Sequence, residues 1–562
     1  MSRLSLRWAM RCPGPALALL IVVACGCGPS DPTGSKSRAI FARGGLVLPG
    51  EASPDVLLDV TTVDNATVRL TAGLPAGGRA FFPFRWKSGE SYVLRRVPPA
   101  GGAAFPAALH APVRPEPLVV AAVRLEDVHA GSVTAGGEPD ASLAFSEDGT
   151  RLAVGTFGGY LRAFDTQTGG CVFEKRLPGT VVKRVAIDTA GGRIYAGEMS
   201  YDGFVRAFDL KTRKELWRFR LGDELETSRP ARADDFFALY AYPQVYCMRA
   251  LDGDLVVAGF HSWRDGQKSR HLSRMYRFDG RTGEVKWTWP ADGPLRRNIS
   301  WFDLDDCFVA LSAYQWEVPA SGDRVPQAAV YLLDLASGRE LDRHAFEPLK
   351  PHFDTVPMWY GLALDGAGHL AVGLMDGRGA IFSLAGGTLE LTKELDLATP
   401  VEVTGVPIYA GAGWAAGSGQ QLYILTDGRL VAPSAGGKGK TVRADHFNAN
   451  TLFVFDGGSG KLLWQWKLTT TAQSVAVGKN VLAAATQQSY SSDDPMDYGL
   501  TLFDPSAQGA PVEKMLFRYP TAGPIVALAV SGDGRTLAAV EAPVRLADDM
   551  TVVGEYRLHI LR

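Results

Sequence analysis

The side chains best suited to chemistry are histidines and aspartates that stand close together in the sequence. His261 and His271 share the segment HSWRDGQKSRH, where two imidazoles could bind a metal ion. A solvated loop is the favoured interpretation of this segment. The run DLDDC at 303–307 lacks the glycine and the distal glutamate of a calcium loop. The sequence therefore predicts no metal site and no cofactor.

Acid–base and nucleophilic chemistry find equally little support. Asp445 and His446 could form an acid–base pair, but adjacent residues of a strand point to opposite faces, so a hydrogen bond to a loop backbone is favoured. The sequence holds no CxxCH, CxxC, HExxH, P-loop or GxSxG motif. We assign no catalytic residue. The sequence leaves open whether the protein is an enzyme and favours a protein that is not one.

Aromatic and arginine side chains, which are favoured at recognition sites, recur in the long segments between apolar runs. They predict a binding face rather than an active site. The alternative is that some of these aromatic side chains fold back and pack against the protein. The candidates for the binding face are Trp263, Arg264, Tyr314, Trp316 and His446.

The composition argues against nucleic acid as a partner and indicates many short strands. The formal charge of the 562 residues is -2, so no global basic field recruits nucleic acid. Six cysteines are too few and too scattered for a disulfide framework, and the pairing of Cys171, Cys247 and Cys307 stays open. With 63 glycines and 34 prolines the chain is rich in turns, which indicates many short strands.

The elements that position these side chains repeat along the chain. The unit is clearest at 142–177, where four alternating strands are joined by tight turns at Asp148-Gly149 and Thr168-Gly169. Four strands connected in this way form one blade of a β-propeller. Counting such units to the closing YRLHILR predicts eight blades, with seven as the alternative.

Several units end in a turn followed by a tryptophan, as in TGEVKW up to Trp287 and SGKLLW up to Trp464. This pattern resembles the repeat of quinoprotein-like (PQQ-type) propellers, and the first and last units resemble WD-type repeats. The resemblance implies the fold and implies that the tryptophan packs between blades. Quinoprotein dehydrogenases also carry a vicinal cysteine pair over the cofactor, which this chain lacks, so PQQ is not expected.

The order of the strands predicts how the ring closes and where it binds. The last unit lacks an outer strand, and the orphan strand within Pro117–Val128 would supply it and remove an exposed edge. Turns between first and second and between third and fourth strands are short. The long insertions fall between second and third strands and between blades, so all lie on one face of the disc.

The N-terminus predicts export. Three arginines precede the apolar run Ala16–Ala24, which is too short to span a bilayer and suits a signal peptide. The sequence VVAC ending at Cys25 resembles the lipobox of bacterial lipoproteins, which implies lipidation of Cys25 and, with Gly26 next, the outer membrane. The predicted domains are a signal peptide at 1–24, a tether at 25–45, a small β-sandwich-like module at 46–110 and the propeller at 117–562.

Together these features predict a membrane-anchored extracytoplasmic scaffold of the bacterial cell envelope that binds an envelope protein. The chain resembles the propeller lipoprotein of the outer-membrane β-barrel assembly machinery in anchor and repeat type. That protein lacks the N-terminal module and the long loops. The alternatives are a lyase, hydrolase or oxidoreductase acting at the central funnel, and a glycan-binding surface module.

Overall fold

The fold is seen in a computed structural model. It describes residues 40–42, 45–49, 57–62, 67–71, 75–76, 79–83, 91–97, 106–110, 119–126, 141–227, 242–265, 268–317, 325–349, 357–403, 406–431, 446–468, 470–487, 497–506, 514–545 and 552–562. The predicted signal peptide and Cys25 lie outside these residues. In the described parts, the all-β prediction is confirmed, with one short helix, α1 (Gly222–Leu225), and a 3₁₀ turn at Ala385–Gly387.

The first eight strands form two antiparallel sheets of four strands each. The orders are β1-β2-β6-β5 and β4-β3-β7-β8, and the sandwich-like packing expected from the sequence stays a prediction. The first strand begins at Ile40, within the stretch predicted as a tether. The strands are β1 (Ile40–Ala42), β2 (Gly45–Pro49), β3 (Leu57–Thr62), β4 (Thr67–Thr71), β5 (Pro75–Ala76), β6 (Arg79–Pro83), β7 (Ser91–Val97) and β8 (Pro106–His110).

The propeller strands follow in groups of four, each group an antiparallel meander whose first strand lies innermost. After β9 (Val119–Arg124), the first four groups are β10 (Ala141–Phe145), β11 (Arg151–Thr156), β12 (Tyr160–Asp165) and β13 (Cys171–Arg176); β14 (Val181–Asp188), β15 (Arg193–Met199), β16 (Phe204–Asp209) and β17 (Glu215–Arg220); β18 (Gln244–Leu251), β19 (Asp254–Asp265), β20 (Lys268–Asp279) and β21 (Val285–Trp289); β22 (Asn298–Leu304), β23 (Phe308–Glu317), β24 (Val325–Asp334) and β25 (Glu340–Phe346).

The later groups continue the pattern, with one additional short strand, β30, before the sixth group. They are β26 (Pro357–Leu364), β27 (His369–Leu374), β28 (Arg378–Ser383) and β29 (Glu390–Asp396); β30 (Val401–Val403), β31 (Val406–Ser418), β32 (Gln421–Val431), β33 (Thr451–Asp456) and β34 (Leu462–Lys467); β35 (Ala472–Val477), β36 (Leu482–Thr486), β37 (Gly499–Phe503) and β38 (Met515–Pro520); and finally β39 (Ile525–Val530), β40 (Leu537–Glu541) and β43 (Arg557–Leu561), with the small hairpin β41 (Val544–Arg545) and β42 (Val552–Val553) inserted.

These groups form a closed ring. Each innermost strand contacts the innermost strand of the next group, from β10 through β14, β18, β22, β26, β31, β35 and β39, and β39 contacts β10. The described residues thus hold eight such sheets, which favours the count of eight blades over seven. The third and fourth strands of all eight share a register shift, and the residue just before it is Phe173, Trp217, Trp287, Asp342, Lys393, Trp464, Phe517 or Ala121.

Ring closure occurs as the sequence predicts. The N-terminal strand β9 pairs antiparallel with β43, from Arg557 opposite Arg124 to Leu561 opposite Val119, and supplies the fourth strand of the last sheet. Val120 and Val123 pack on the core cluster shared by the first and last sheets. Closure removes the two exposed sheet edges that an open ring would present to solvent.

The tryptophans join neighbouring sheets, as the repeat resemblance implies. Trp287 is 8% exposed and donates its indole N–H to Leu335 O of the next sheet at 3.0 Å. Its ring lies flat against Gly338, where an added Cβ would come within 2.5 Å. Gly338 has a φ of +70°, so the turn needs glycine both for its backbone conformation and for the space that the indole occupies.

Two departures from the repeat have physical explanations. Asp342 stands in place of the tryptophan in the fourth sheet, and its Oδ2 accepts the Leu389 N–H of the next sheet at 2.8 Å, so the hydrogen bond is kept with its polarity reversed. The turn between third and fourth strands is not short everywhere, because 504–514 separates β37 from β38. At this position Asp342 keeps a contact to the next sheet without keeping the residue type or its bulk.

Candidate binding surfaces and the central channel

The meander gives the disc two different faces. Connections between first and second and between third and fourth strands lie on one face, here called the short-turn face. Connections between second and third strands and between sheets lie on the other, the long-loop face. Three sheets extend beyond the ring on the long-loop face, through the hairpins β19–β20 and β23–β24 and through the paired strands β31 and β32. Strands β11 and β12 of the first sheet have only six residues each.

The segment with two histidines is a β-hairpin rather than a loop. His261 is buried and its Nδ1 lies 2.7 Å from Leu225 O, whereas His271 Nδ1 lies 2.9 Å from Ser262 Oγ. Since Ser262 pairs with His271 across the hairpin, His261 points to the opposite face. Within the described residues, no three His, Cys, Asp or Glu side chains are grouped so that they could hold a metal ion.

Trp263 is half-buried and packs against the core cluster of the second and third sheets. Its ring stacks on that of His261, with centroids 4.4 Å apart. Arg264 lies in β19 next to it, but its side chain is outside the described residues. The Trp263 ring is thus held by contacts with the core cluster and with His261, and the rest of the side chain stays partly exposed.

The other binding-face candidates lie on different sheets. Tyr314 is half-buried in β23, and Trp316 lies two residues further along with its side chain outside the described part. His446 is buried, and burial lowers the pKa of its imidazole. Its ring stacks on Phe447 at 4.4 Å, and Phe447 is 67% exposed. The exposed aromatic side chain of this segment is therefore Phe447, which sequence reasoning passed over because alternation cannot be read in a loop.

A central channel runs along the propeller axis, with a cavity of about 1220 Å³. Its walls are the innermost strands of all eight sheets, and it reaches the turns that follow β10, β14 and β18. Because these turns join first to second strands, the cavity opens on the short-turn face, opposite the predicted binding face. The wall is largely apolar and half-buried, for example at Leu143, Phe145, Leu251, Leu528 and Val530.

A cluster of arginines and aromatic rings forms the inner end of this cavity. Arg184 of the second sheet donates from NH2 to the Tyr360 hydroxyl of the fifth sheet at 2.6 Å, and from Nε to Tyr246 O at 2.7 Å. Trp301 of the fourth sheet lies under both, 4.2 Å from the Tyr360 ring between centroids. Tyr360 has a φ of +64°, which a tyrosine rarely adopts. The pairing register of β26 with β27 also shifts between Pro357 and Leu362. This irregularity of the backbone places Tyr360 near the propeller axis.

One ion pair lies beside this cluster. Arg249 Nε is 4.0 Å from Asp303 Oδ1, and the Arg249 guanidinium stacks 5.6 Å from the centre of the Trp301 ring. Burial raises the pKa of Asp303, although Arg249 and the Leu364 N–H oppose the rise. Asp303 belongs to the acidic run that the sequence analysis rejected as a calcium loop, and it serves instead as the partner of an arginine.

Another buried polar network holds a connection between sheets in place. His559 Nε2 lies 2.9 Å from Glu541 Oε2 and its Nδ1 lies 3.0 Å from the Tyr519 hydroxyl. Glu541 Oε1 accepts the Gly523 N–H at 2.8 Å, so this buried triad ties the loop between the last two sheets to β40. Such satisfied networks rigidify a fold and do not by themselves indicate catalysis.

Two further observations concern the cysteines and the helices. Among the described cysteines, Cys171, Cys247 and Cys307 are free thiols. No helix in the described part is both long and apolar enough to cross a membrane.

A family model described as outer membrane protein assembly factor BamB matches residues 119–256. These residues comprise the closing strand, the first two sheets and the start of the third. The chain is a β-propeller built from PQQ-like repeats. The resemblance drawn from the Asp, Thr-Gly and Trp pattern is thereby confirmed. The match covers less than half of the chain, and no curated protein matches the sequence significantly.

Solved structures share the fold at low identity. The europium-containing methanol dehydrogenase is 12% identical with a TM-score of 0.47 and covers 79% of this chain and 93% of its own. Sqt1 of Saccharomyces cerevisiae is 10% identical with a TM-score of 0.45 and coverages of 75% and 95%. BamB of Moraxella catarrhalis is 15% identical with a TM-score of 0.37 and coverages of 66% and 94%. At these scores the three structures carry no argument about function.

Proposed function

We propose that this protein is a lipid-anchored scaffold of the bacterial cell envelope that binds a protein partner on its long-loop face. The family match to an outer membrane assembly factor supports an envelope role for the first sheets. The signal-peptide pattern and VVAC support export and attachment through Cys25, with the outer membrane as the destination. The closed ring of eight sheets provides the scaffold for this surface.

The observation that carries the proposal is the concentration of projecting strands and aromatic side chains on one face. Phe447 is 67% exposed, the largest exposure among the large apolar side chains of the described residues. Trp263 and Tyr314 are half-buried on two other extended sheets of the same face. Aromatic side chains supply much contact area while losing few rotamers, so they suit the centre of a protein interface.

Phe447 is held in place for such a role. Its ring stacks on the buried His446, and the neighbouring Asn448 donates its side-chain N–H to Leu397 O at 2.5 Å. A contact group that is already ordered before binding loses less conformational entropy on association.

Photocrosslinking in cells tests this proposal. A benzoylphenylalanine at position 447 should crosslink to one envelope protein. The same group at position 391, where Leu391 is 42% exposed on the outer strand β29, should not. The Trp263→Ala substitution should reduce the crosslink from position 447 while the far-UV CD spectrum stays unchanged, and the melting temperature should fall because the ring packs on the core cluster. Equal crosslinking from both positions, crosslinking to glycan alone, or a crosslink insensitive to Trp263→Ala would contradict the proposed binding face.

A further inference from the structure

The central channel opens on the short-turn face, opposite the proposed partner surface, and narrows at its inner end. The Arg184–Tyr360 hydrogen bond spans from the second sheet to the fifth, and Trp301 lies beneath it. These side chains form a floor. A concave cavity with an apolar wall and a few polar groups is the type of site in which proteins bind ligands.

The floor presents a positive group with unused donors. Among the described residues, Arg249 donates one hydrogen bond, to Met248 O at 3.1 Å, and lies only loosely against Asp303 at 4.0 Å. Its side chain is 42% exposed, toward the cavity it lines. A guanidinium has five N–H donors in a planar fork that matches a carboxylate. Stacking on Trp301 fixes the plane of this fork.

The rim has the opposite charge. Glu147, Asp148 and Asp252 are exposed at the turns that border the cavity opening. Among the described residues that line the cavity, the arginine nearest the rim is Arg193, and Asp188 pairs with it at 2.7 Å. An occupant that is anionic throughout would be repelled at this opening, whereas one with an anionic inner end and a cationic outer end complements both regions.

The depth of the channel sets the length of that occupant. From Arg184 at the floor to Asp188 at the rim, β14 advances four residues, or about 13 Å at roughly 3.3 Å per residue. An extended peptide covers this distance with about four residues. Between the two charged ends, the apolar walls fit aliphatic side chains.

We propose that the channel binds the C-terminal end of an extended peptide. The terminal carboxylate pairs with Arg249, about three apolar residues lie against the walls, and a lysine or arginine lies at the acidic rim. This inference concerns the short-turn face and does not depend on the proposed long-loop partner.

Calorimetric titration of the full chain with the peptide Lys-Lys-Leu-Ala-Val tests the site. We expect the free acid to bind and its C-terminal amide to bind at least tenfold more weakly. Arg249→Gln should lower the affinity for the free acid to that of the amide, and Arg249→Lys should restore part of it. The matched control is Arg535→Gln, which removes an exposed arginine of the same face outside the cavity and should change nothing.

Other outcomes would overturn the proposal. Dodecanoate binding as tightly as the peptide would assign the channel to amphipathic carboxylates rather than to a peptide terminus. Equal affinity of acid and amide would remove the role of Arg249, and no binding of either peptide would remove the site. Because none of these titrations involves Phe447 or Trp263, failure here leaves the crosslinking result unaffected.

Discussion

Gly338 offers the sharpest test of how neighbouring sheets are joined. Its φ of +70° and the Trp287 ring against it both oppose a side chain. Gly366, in the turn between β26 and β27, has a φ of +72° but nothing within 4 Å of an added Cβ. The two glycines therefore differ in the tryptophan contact and not in backbone conformation.

The expected penalties follow from this difference. Gly366→Ala should lower the free energy of unfolding by about 1–2 kcal/mol, the cost of a left-handed conformation for an L-residue. Gly338→Ala should cost about 1–3 kcal/mol more, because its Cβ would meet the indole at 2.5 Å and force one of the two sheets to shift.

Chemical denaturation followed by far-UV CD measures these penalties, and a double-mutant cycle isolates the contact. In a Trp287→Ala background, which itself removes a buried ring, Gly338→Ala should cost no more than Gly366→Ala. Equal penalties for the two glycines in the native background would refute the docking argument. So would a Gly338→Ala penalty that stays the same after Trp287 is removed.

Three other predictions concern closure, titration and anchoring. A chain beginning at Ala130, which lacks β9, should unfold at lower urea concentration and less cooperatively than the full chain, because the last sheet loses its fourth strand; identical urea curves would contradict the closure. Burial raises the pKa of Asp427 to about 6, so the folded state holds its proton above the pH at which the unfolded state has released it. Stability should therefore fall as the pH rises from about 4 to about 6. Asp427→Asn should remove that part of the fall in the urea midpoint, and an unchanged pH dependence would contradict the raised pKa of Asp427. Cys25→Ser should release the protein from membranes, and a variant that stays membrane-bound, with no acyl group in the native protein by mass spectrometry, would contradict lipidation.

The strands and turns of the propeller could be predicted from the sequence because residues close together in the chain specify them. The short turn after the third strand of most units is set by residues within five positions: in the third sheet, Asp279 Oδ1 accepts the N–H groups of Arg281 and Thr282, and Gly283 takes the left-handed conformation. The missing outer strand of the last unit was equally visible, since strand counting needs no coordinates. These features repeat, so each unit supports the interpretation of the others.

The positions of the candidate binding residues were only partly predictable. Strand order assigns 261–271 and 446–448 to the long-loop face. Whether a given side chain there is exposed depends on what packs over it: His446 is buried and Phe447 is exposed, although they are neighbours. No periodicity marks such a difference in an irregular segment.

The channel was decided by the tertiary structure alone. Arg184 and Tyr360 are 176 positions apart and meet only because the ring places the second and fifth sheets on either side of one axis. Arg249, Trp301 and Asp303 carry no motif, and each resembles an ordinary strand residue in its own unit. The sequence determined the blades, their turns and their closure because short-range hydrogen bonds and glycine conformations specify them. Ring closure brings the innermost strands of all eight sheets around one cavity, which has apolar walls and charged groups at both ends. No single repeat contains this cavity.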